Sequence, residues 1–193
     1  MSQPGERSDA RANRERVIRS ARDLFGERGF DVEMREIAER AGVGVGTLYR
    51  NFATKEELVR ALVNELAHDG GALIEQALAC PDPGEGLRTF IDGCWRLADS
   101  HGQIARALRA DGEAMGADPA ASERLKDGVS RLFERALAAG AVNPLLDFQF
   151  LAFYLSAMLE VYVALRAAQR PHGEAARQCT EAFLHAIAAP PRR

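Results

Sequence analysis

Between Gly44 and Lys55 the chain carries side chains whose types and spacing suit recognition of a polynucleotide. Gly44, Val45, Gly46 and Thr47 are small and let a backbone come close to a flat surface. Tyr49, Arg50 and Asn51 add a phenol, a guanidinium and an amide, and Lys55 adds an ammonium just beyond. The face is small near its start and polar or aromatic further on. Leu48 and Phe52 lie four residues apart and share one helical face, leaving the polar set on the other. This is the chemistry of non-covalent recognition, and the surface it fits is the major groove of double-stranded DNA.

Such a face needs a support that fixes its angle. Met34 to Phe52 reads as two short helices joined by a tight turn, with Ile37, Ala38, Ala41, Val43, Leu48 and Phe52 as a small shared core. Gly42 stands at the reversal, where a positive φ is expected. Upstream, a helix is expected to begin at Ser8 or Asp9 after a disordered lead. It places Val17, Ile18, Ala21, Leu24 and Phe25 on one face. Gly29 should cap its end, with Phe30 folding back onto the last turn. Downstream, Thr54 and Glu57 form a capping box, so Lys55 sits in the first turn of the next helix, where free amides already favour a phosphate.

Composition narrows the remaining choices. The 193 residues carry a formal net charge of −3, which excludes a uniformly basic nucleic-acid coat. Arg7, Arg11, Arg14, Arg16, Arg19 and Arg22 nevertheless outnumber Glu6, Asp9 and Glu15 at the amino end, forming either a basic patch or a solvated helix face. Abundant Ala, Leu, Arg and Glu favour an all-α protein. Cys80, Cys94 and Cys179 have no metal-ligand or disulfide spacing, so neither a metal nor a cofactor is expected. The four histidines are scattered, no nucleophile elbow is present, and GVGVG (42–46) follows a helix and lacks the trailing lysine of a phosphate loop. Catalysis is therefore not expected. The apolar stretch 145–165 contains Asp147, Gln149, Ser156 and Glu160, so the reading is no membrane span and a cytoplasmic protein.

In chain order, a fourth helix should run to about Ala79, with Gly70-Gly71 a possible kink, and PDPGEG (81–86) should form a linker. A fifth helix follows over 87–100, stopped by His101-Gly102, and a sixth over about 103–115. Asp118-Pro119 opens a seventh helix to about Ala139, and Asn143-Pro144 an eighth to about Arg170. A last helix covers 174–188. The eighth is apolar nearly all round, which points to burial against a second subunit; the alternative is a central helix of a monomeric bundle. The homodimer interface expected from it comprises Phe148, Leu151, Leu155, Leu159 and Tyr162, with Cys179, Phe183 and Ile187 from the last helix. Phe90, Cys94, Trp95, His101, Met115, Phe133, Tyr154 and Met158 are candidates to line a ligand pocket, the alternative being an ordinary core.

The phrase REIAERAGVGVGTLYRNFATKEEL (35–58), preceded by LFGERGF (24–30), resembles the tetracycline-repressor (TetR) family of bacterial transcription regulators. The resemblance implies an amino-terminal three-helix DNA-binding domain, here 9–55, on a larger helical effector-binding and dimerisation domain, here 56–189. It implies that Val45, Gly46 and Thr47 approach base edges, that Tyr49 and Lys55 clamp phosphates, and that Leu48 and Phe52 pack inside. Three positions depart from the family pattern. Glu33 stands where Thr or Ser is usual, Gly44 replaces a Ser cap, and Asn51 replaces a phosphate-binding His. The function expected is a homodimeric repressor released from a near-palindromic operator by a small-molecule effector of unknown chemistry. The alternatives are the same head acting through protein contacts without an effector, and a helical enzyme.

Overall fold

The computed structural model describes residues 4–110 and 118–189, and in that range the protein is all-α. Its helices are α1 (Pro4–Arg28), α2 (Met34–Ala41), α3 (Val45–Asn51), α4 (Lys55–Leu78), α5 (Pro83–Ala110), α6 (Pro119–Ala138), α7 (Phe148–Ala167) and α8 (His172–Ile187). An isolated bridge joins Val142 and Ala188. The chain divides into two compact units, Met1–Leu66 with His101–Asp118, and Ala67–Ser100 with Pro119–Arg193.

Several helix ends differ from expectation for local reasons. The first helix begins at Pro4 rather than Ser8 or Asp9, since proline fits a first turn whose amide has no helical partner anyway. PDPGEG is not a linker throughout: Asp82 Oδ1 accepts the Glu85 amide at 2.8 Å, and α5 starts at Pro83. The expected break at His101-Gly102 is present: His101 leaves helical geometry at φ −125° and ψ 16°, and a second helical segment runs on across the kink to Ala110. The rest of the expected sixth helix, including Met115, lies outside the described residues. Asn143-Pro144 forms a turn, in which Asn143 Oδ1 takes the Leu145 amide at 3.0 Å. The true cap of α7 is Asp147, whose Oδ1 accepts the Phe150 amide at 2.7 Å.

In the amino-terminal unit, Val17, Ala21, Leu24 and Phe25 of α1 meet Ile37 and Ala38 of α2, Leu48 of α3, and Leu58 and Leu62 of α4. Ile104 completes this core. Ion pairs tie its rim, with Arg40 on Glu27 at 2.7 Å and Arg22 on Glu65.

In the second unit, Leu73, Ile74, Trp95, Leu132, Phe133, Tyr162 and Phe183 belong to one continuous core. Glycines set how closely its helices approach. A Cβ at Gly93 would lie 2.2 Å from Leu73 Cδ1, and one at Gly128 would lie 2.7 Å from Ile74 Cγ2. At the end of α7, Gln169 adopts φ 63°; its amide donates to Arg166 O at 3.0 Å, and the Arg170 amide donates to Leu165 O at 3.1 Å. The chain thereby turns at once into α8.

A polar ladder fastens α5, α7 and α8 together. Asp99 Oδ1 accepts from Arg166 Nε at 2.9 Å, Asp99 Oδ2 lies 3.0 Å from His172 Nδ1, and the Tyr162 hydroxyl is 2.7 Å from the same nitrogen. Burial raises the Asp99 carboxyl, but Arg166 and Tyr162 outweigh it and hold its pKa below the usual carboxylate range. Burial, then Asp99, pushes the Tyr162 phenol upward. A depressed carboxyl stabilises the fold above its unfolded pKa, and this contribution fades as pH falls through the folded value. Asp99→Asn is therefore expected to lower the melting temperature at pH 7, with the gap to wild type shrinking below about pH 4. Melting scans across pH test this; a gap that widens on acidification would contradict it.

Candidate nucleic-acid interface

The helix-turn-helix is built as its sequence requires. Gly42 caps α2 with φ 63° and ψ 37°, a left-handed conformation that glycine adopts at least cost, and its amide donates to Glu39 O at 3.1 Å. Gly29 takes φ 76° after α1, and Phe30 folds onto Phe25 with ring centroids 5.1 Å apart. Leu48 is fully buried and Phe52 nearly so, which anchors α3 by one face. Its opposite face is open: Val45 is 40 % exposed, Tyr49 is 48 % exposed, and Gly46 and Arg50 are exposed, with Thr47 half-buried beside them.

The three departures each have a structural consequence. Glu33 caps α2 in a reciprocal box with Glu36, whose Oε1 accepts the Glu33 amide at 3.2 Å. Its carboxylate thus does the capping work of the missing hydroxyl. Arg28, and then the Glu33 amide, hold the Glu36 carboxyl below its ordinary range. Gly44 caps α3 with no side-chain bond, and its carbonyl accepts the amides of Thr47 and Leu48 at 2.8 and 3.1 Å. The Asn51 amide group donates to Thr47 O at 2.8 Å, so the side chain folds onto its own helix and is half-buried.

At the start of α4, Thr54 Oγ1 accepts the Glu57 amide at 3.2 Å, as expected of a capping box. The return bond reaches one residue further, from the Ala53 amide to Glu57 Oε2 at 2.8 Å. Lys55 is half-buried, donates to the Phe30 carbonyl, and lies 5.8 Å from the Phe25 ring centre. It therefore has a packing role as well as a charge, which the sequence did not disclose. Arg14 stacks over Phe52 at 4.9 Å, so this member of the amino-terminal arginine set also braces the core.

Six of the eight residues expected to line a pocket lie in or against one core. Phe90, Trp95 and Phe133 are buried in the core of the second unit, with Cys94, Tyr154 and Met158 partly buried against it. Burial pushes the Cys94 thiol up to about 12, which keeps it protonated. His101 is buried and belongs to the amino-terminal unit, and Met115 lies outside the described residues. Trp95 Nε1 donates to Thr180 Oγ1 at 2.8 Å, and its ring stacks on Tyr162 with centroids 5.3 Å apart.

The expected dimer set divides by burial within the single chain. Leu151, Tyr162, Cys179, Phe183 and Ile187 are all buried in the chain's own core and have no surface left for a partner. Phe148, Leu155 and Leu159 are half-buried at its edge. The open side of α7 is instead Phe150, Phe153, Ala157, Val161 and Ala164, which recur at intervals of three and four. No sequence periodicity could separate these two faces, because both are apolar. By length and composition α7 is apolar enough to cross a membrane, a property shared by helices that pack on other proteins.

The comparisons with known proteins agree with this architecture. The family model described as bacterial regulatory proteins, tetR family, matches residues 17–62, which span the helix-turn-helix and its flanks. An HTH-type transcriptional regulator of Staphylococcus aureus (strain USA300) is 45 % identical over 53 residues, 27 % of this chain and 29 % of that one. The chain thus matches less than a third of that relative's length. The TetR transcription regulatory protein of Mycobacterium vanbaalenii is 30 % identical over 95 % of this chain and 99 % of its own, with a TM-score of 0.60. TetR transcriptional regulator SCO0520 of Streptomyces coelicolor is 26 % identical, covering 92 % and 99 %, with a TM-score of 0.65. The ketosteroid transcriptional regulator KstR2 of Mycobacterium tuberculosis is 20 % identical, covers 92 % and 95 %, and shares the fold with a TM-score of 0.75. A full-length match at that identity, joined to the family signature over α1 to α4, places this chain in the TetR family of bacterial regulatory proteins, which are regulators and not enzymes.

Proposed function

We propose that the protein is a cytoplasmic, homodimeric repressor that reads a near-palindromic operator with α3 and is released by a small-molecule effector. The observation that carries the DNA reading is the open face of α3, where Val45, Gly46 and Thr47 precede Tyr49 and Arg50 around a buried Leu48. A helix held by one apolar residue and free on the opposite side can enter a major groove without unpacking its support. The small residues lead and meet base edges, while Tyr49, Arg50 and Lys55 meet phosphates. Asn51, turned onto Thr47 O, orients Thr47 more than it contacts DNA.

The exposed stripe of α7 supports pairing with a second copy. Two identical stripes related by a two-fold axis would cover each other, and Ala157 and Ala164 would let the backbones approach closely. A two-fold dimer also presents two α3 helices to two half-sites. Release by an effector follows if the ligand binds one conformer of the dimer more tightly than another.

Fluorescence anisotropy with the DNA upstream of the gene tests the interface. Tyr49→Phe and Lys55→Ala are expected to weaken binding to every sequence by about three- to tenfold, with a shallower salt dependence for Lys55→Ala. Thr47→Ala is expected to change the order of preference among operator variants instead. Because Lys55 also holds Phe30, its melting temperature is measured alongside. If all three variants bind as wild type does, α3 is not the reading element.

A further inference from the structure

Helices α5 and α8 run antiparallel, as successive contacts establish: Arg88 on Glu181 at 2.7 Å, Trp95 on Thr180 at 2.8 Å, and Asp99 on His172 at 3.0 Å. Between them lies a surface cleft of about 260 Å³ within the second unit. Most of the residues that line it are charged. Arg88, Asp92 and Arg96 line it at four-residue intervals from α5, and Arg177, Thr180 and Glu181 line it from α8.

The charges within it are unequally matched. Glu181 is taken by Arg88, and Asp92 Oδ1 accepts the Thr180 hydroxyl. Arg96 and Arg177 are both exposed, and among the described residues neither guanidinium has a hydrogen bond or an ion pair. The first turn of α8 closes one end through His172 and Gly173, and its capping residue, Pro171, offers those amides no side-chain acceptor. Both guanidiniums line the same concavity, and an anion there would meet N–H donors from each.

We propose that this cleft binds a compact anion bearing a carboxylate or phosphate head group, held between Arg96 and Arg177. A cleft of this volume accommodates a small metabolite. Asp92 lies beside the cationic pair and would accept from a hydroxyl or amine on the same ligand, giving the site a preference beyond charge. The site shares no residue with α3 and does not depend on what that helix reads.

The cleft has a built-in reporter. Trp95, the one tryptophan of the chain, donates to Thr180, and Thr180 donates to Asp92 on the cleft wall. An anion drawn in beside Asp92 alters that chain of hydrogen bonds and hence the indole's surroundings.

The test titrates the full chain with inorganic phosphate, and separately with acetate, reading Trp95 emission and calorimetric heat at ionic strength balanced with sodium chloride. The expected result is a saturable response to at least one of the two anions, and which one responds identifies the head group. Arg96→Gln combined with Arg177→Gln is expected to weaken that response at least about tenfold without changing the melting temperature, since both side chains are exposed. Arg131→Gln, an exposed arginine of α6 outside the cleft, should leave it unaltered. No saturation with either anion by both readouts overturns the proposal. So does a double variant that binds as wild type does, or a response that sodium chloride alone reproduces.

Discussion

Phe153→Arg is expected to halve the mass of the particle in solution, from a dimer to the 21.0 kDa chain, by sedimentation or light scattering. Phe153 is 68 % exposed in the single chain, with Phe150 at 50 % and Val161 at 47 % on the same side of α7. Neither fold nor core asks for these three side chains outside, so the substitution should leave the monomer's melting behaviour close to normal. In a two-fold interface the same residue is contributed twice, so two guanidiniums would be brought into an apolar seam without partners. Operator affinity should fall by about 10²–10⁴-fold, because the second half-site is then no longer held at high local concentration. A variant that stays dimeric, or a wild type that is monomeric, would refute α7 as the pairing face. Repeating the substitution at Leu151 would be uninformative, since its burial in the chain's own core makes unfolding the first consequence.

Trp95→Ala is expected to cost about 3–5 kcal/mol of unfolding free energy, read from chemical denaturation by far-ultraviolet dichroism. The side chain is fully buried at the centre of the second unit, so its removal leaves a large void. It also removes the stack on Tyr162 and the donor to Thr180. Thr180→Val separates these effects. It keeps the volume but leaves the indole N–H without its acceptor, for an expected loss of about 1–3 kcal/mol. A Trp95→Ala loss under about 1 kcal/mol would mean that the core is looser than its packing indicates.

Much of the amino-terminal unit was legible because its signals are local. Gly29 and Gly42 mark positive-φ turns, Thr54-Glu57 marks a helix start, and Leu48 and Phe52 mark one apolar face, and each of these is realised. The second unit was less legible because its determinants are tertiary. A helix carrying apolar residues all round does not declare which side meets its own core, and Leu151 and Tyr162, expected at a partner, are buried in that core. A buried indole N–H needs an acceptor, but the one that Trp95 finds, Thr180, lies 85 residues away and no pattern names it. The break at His101-Gly102 was legible as well, and the backbone leaves helical geometry at His101. The role of Lys55 was half visible: its charge is written in its type, whereas its bond to Phe30 depends on the path of the preceding loop.

The tight reversal at Gln169 has a consequence for how this chain can vary. Few residues separate Ala167 from His172, so the turn acts as a phase setting for the helix that follows. One inserted residue would rotate α8 by about 100°. That rotation would take Ala175, Cys179, Phe183 and Ile187 off the core and bring Glu174, Gln178, Ala182 and Ala186 toward it. Length variation should therefore be far less tolerated at 168–171 than substitution, and any viable insertion there would need to come in steps close to a whole helical turn.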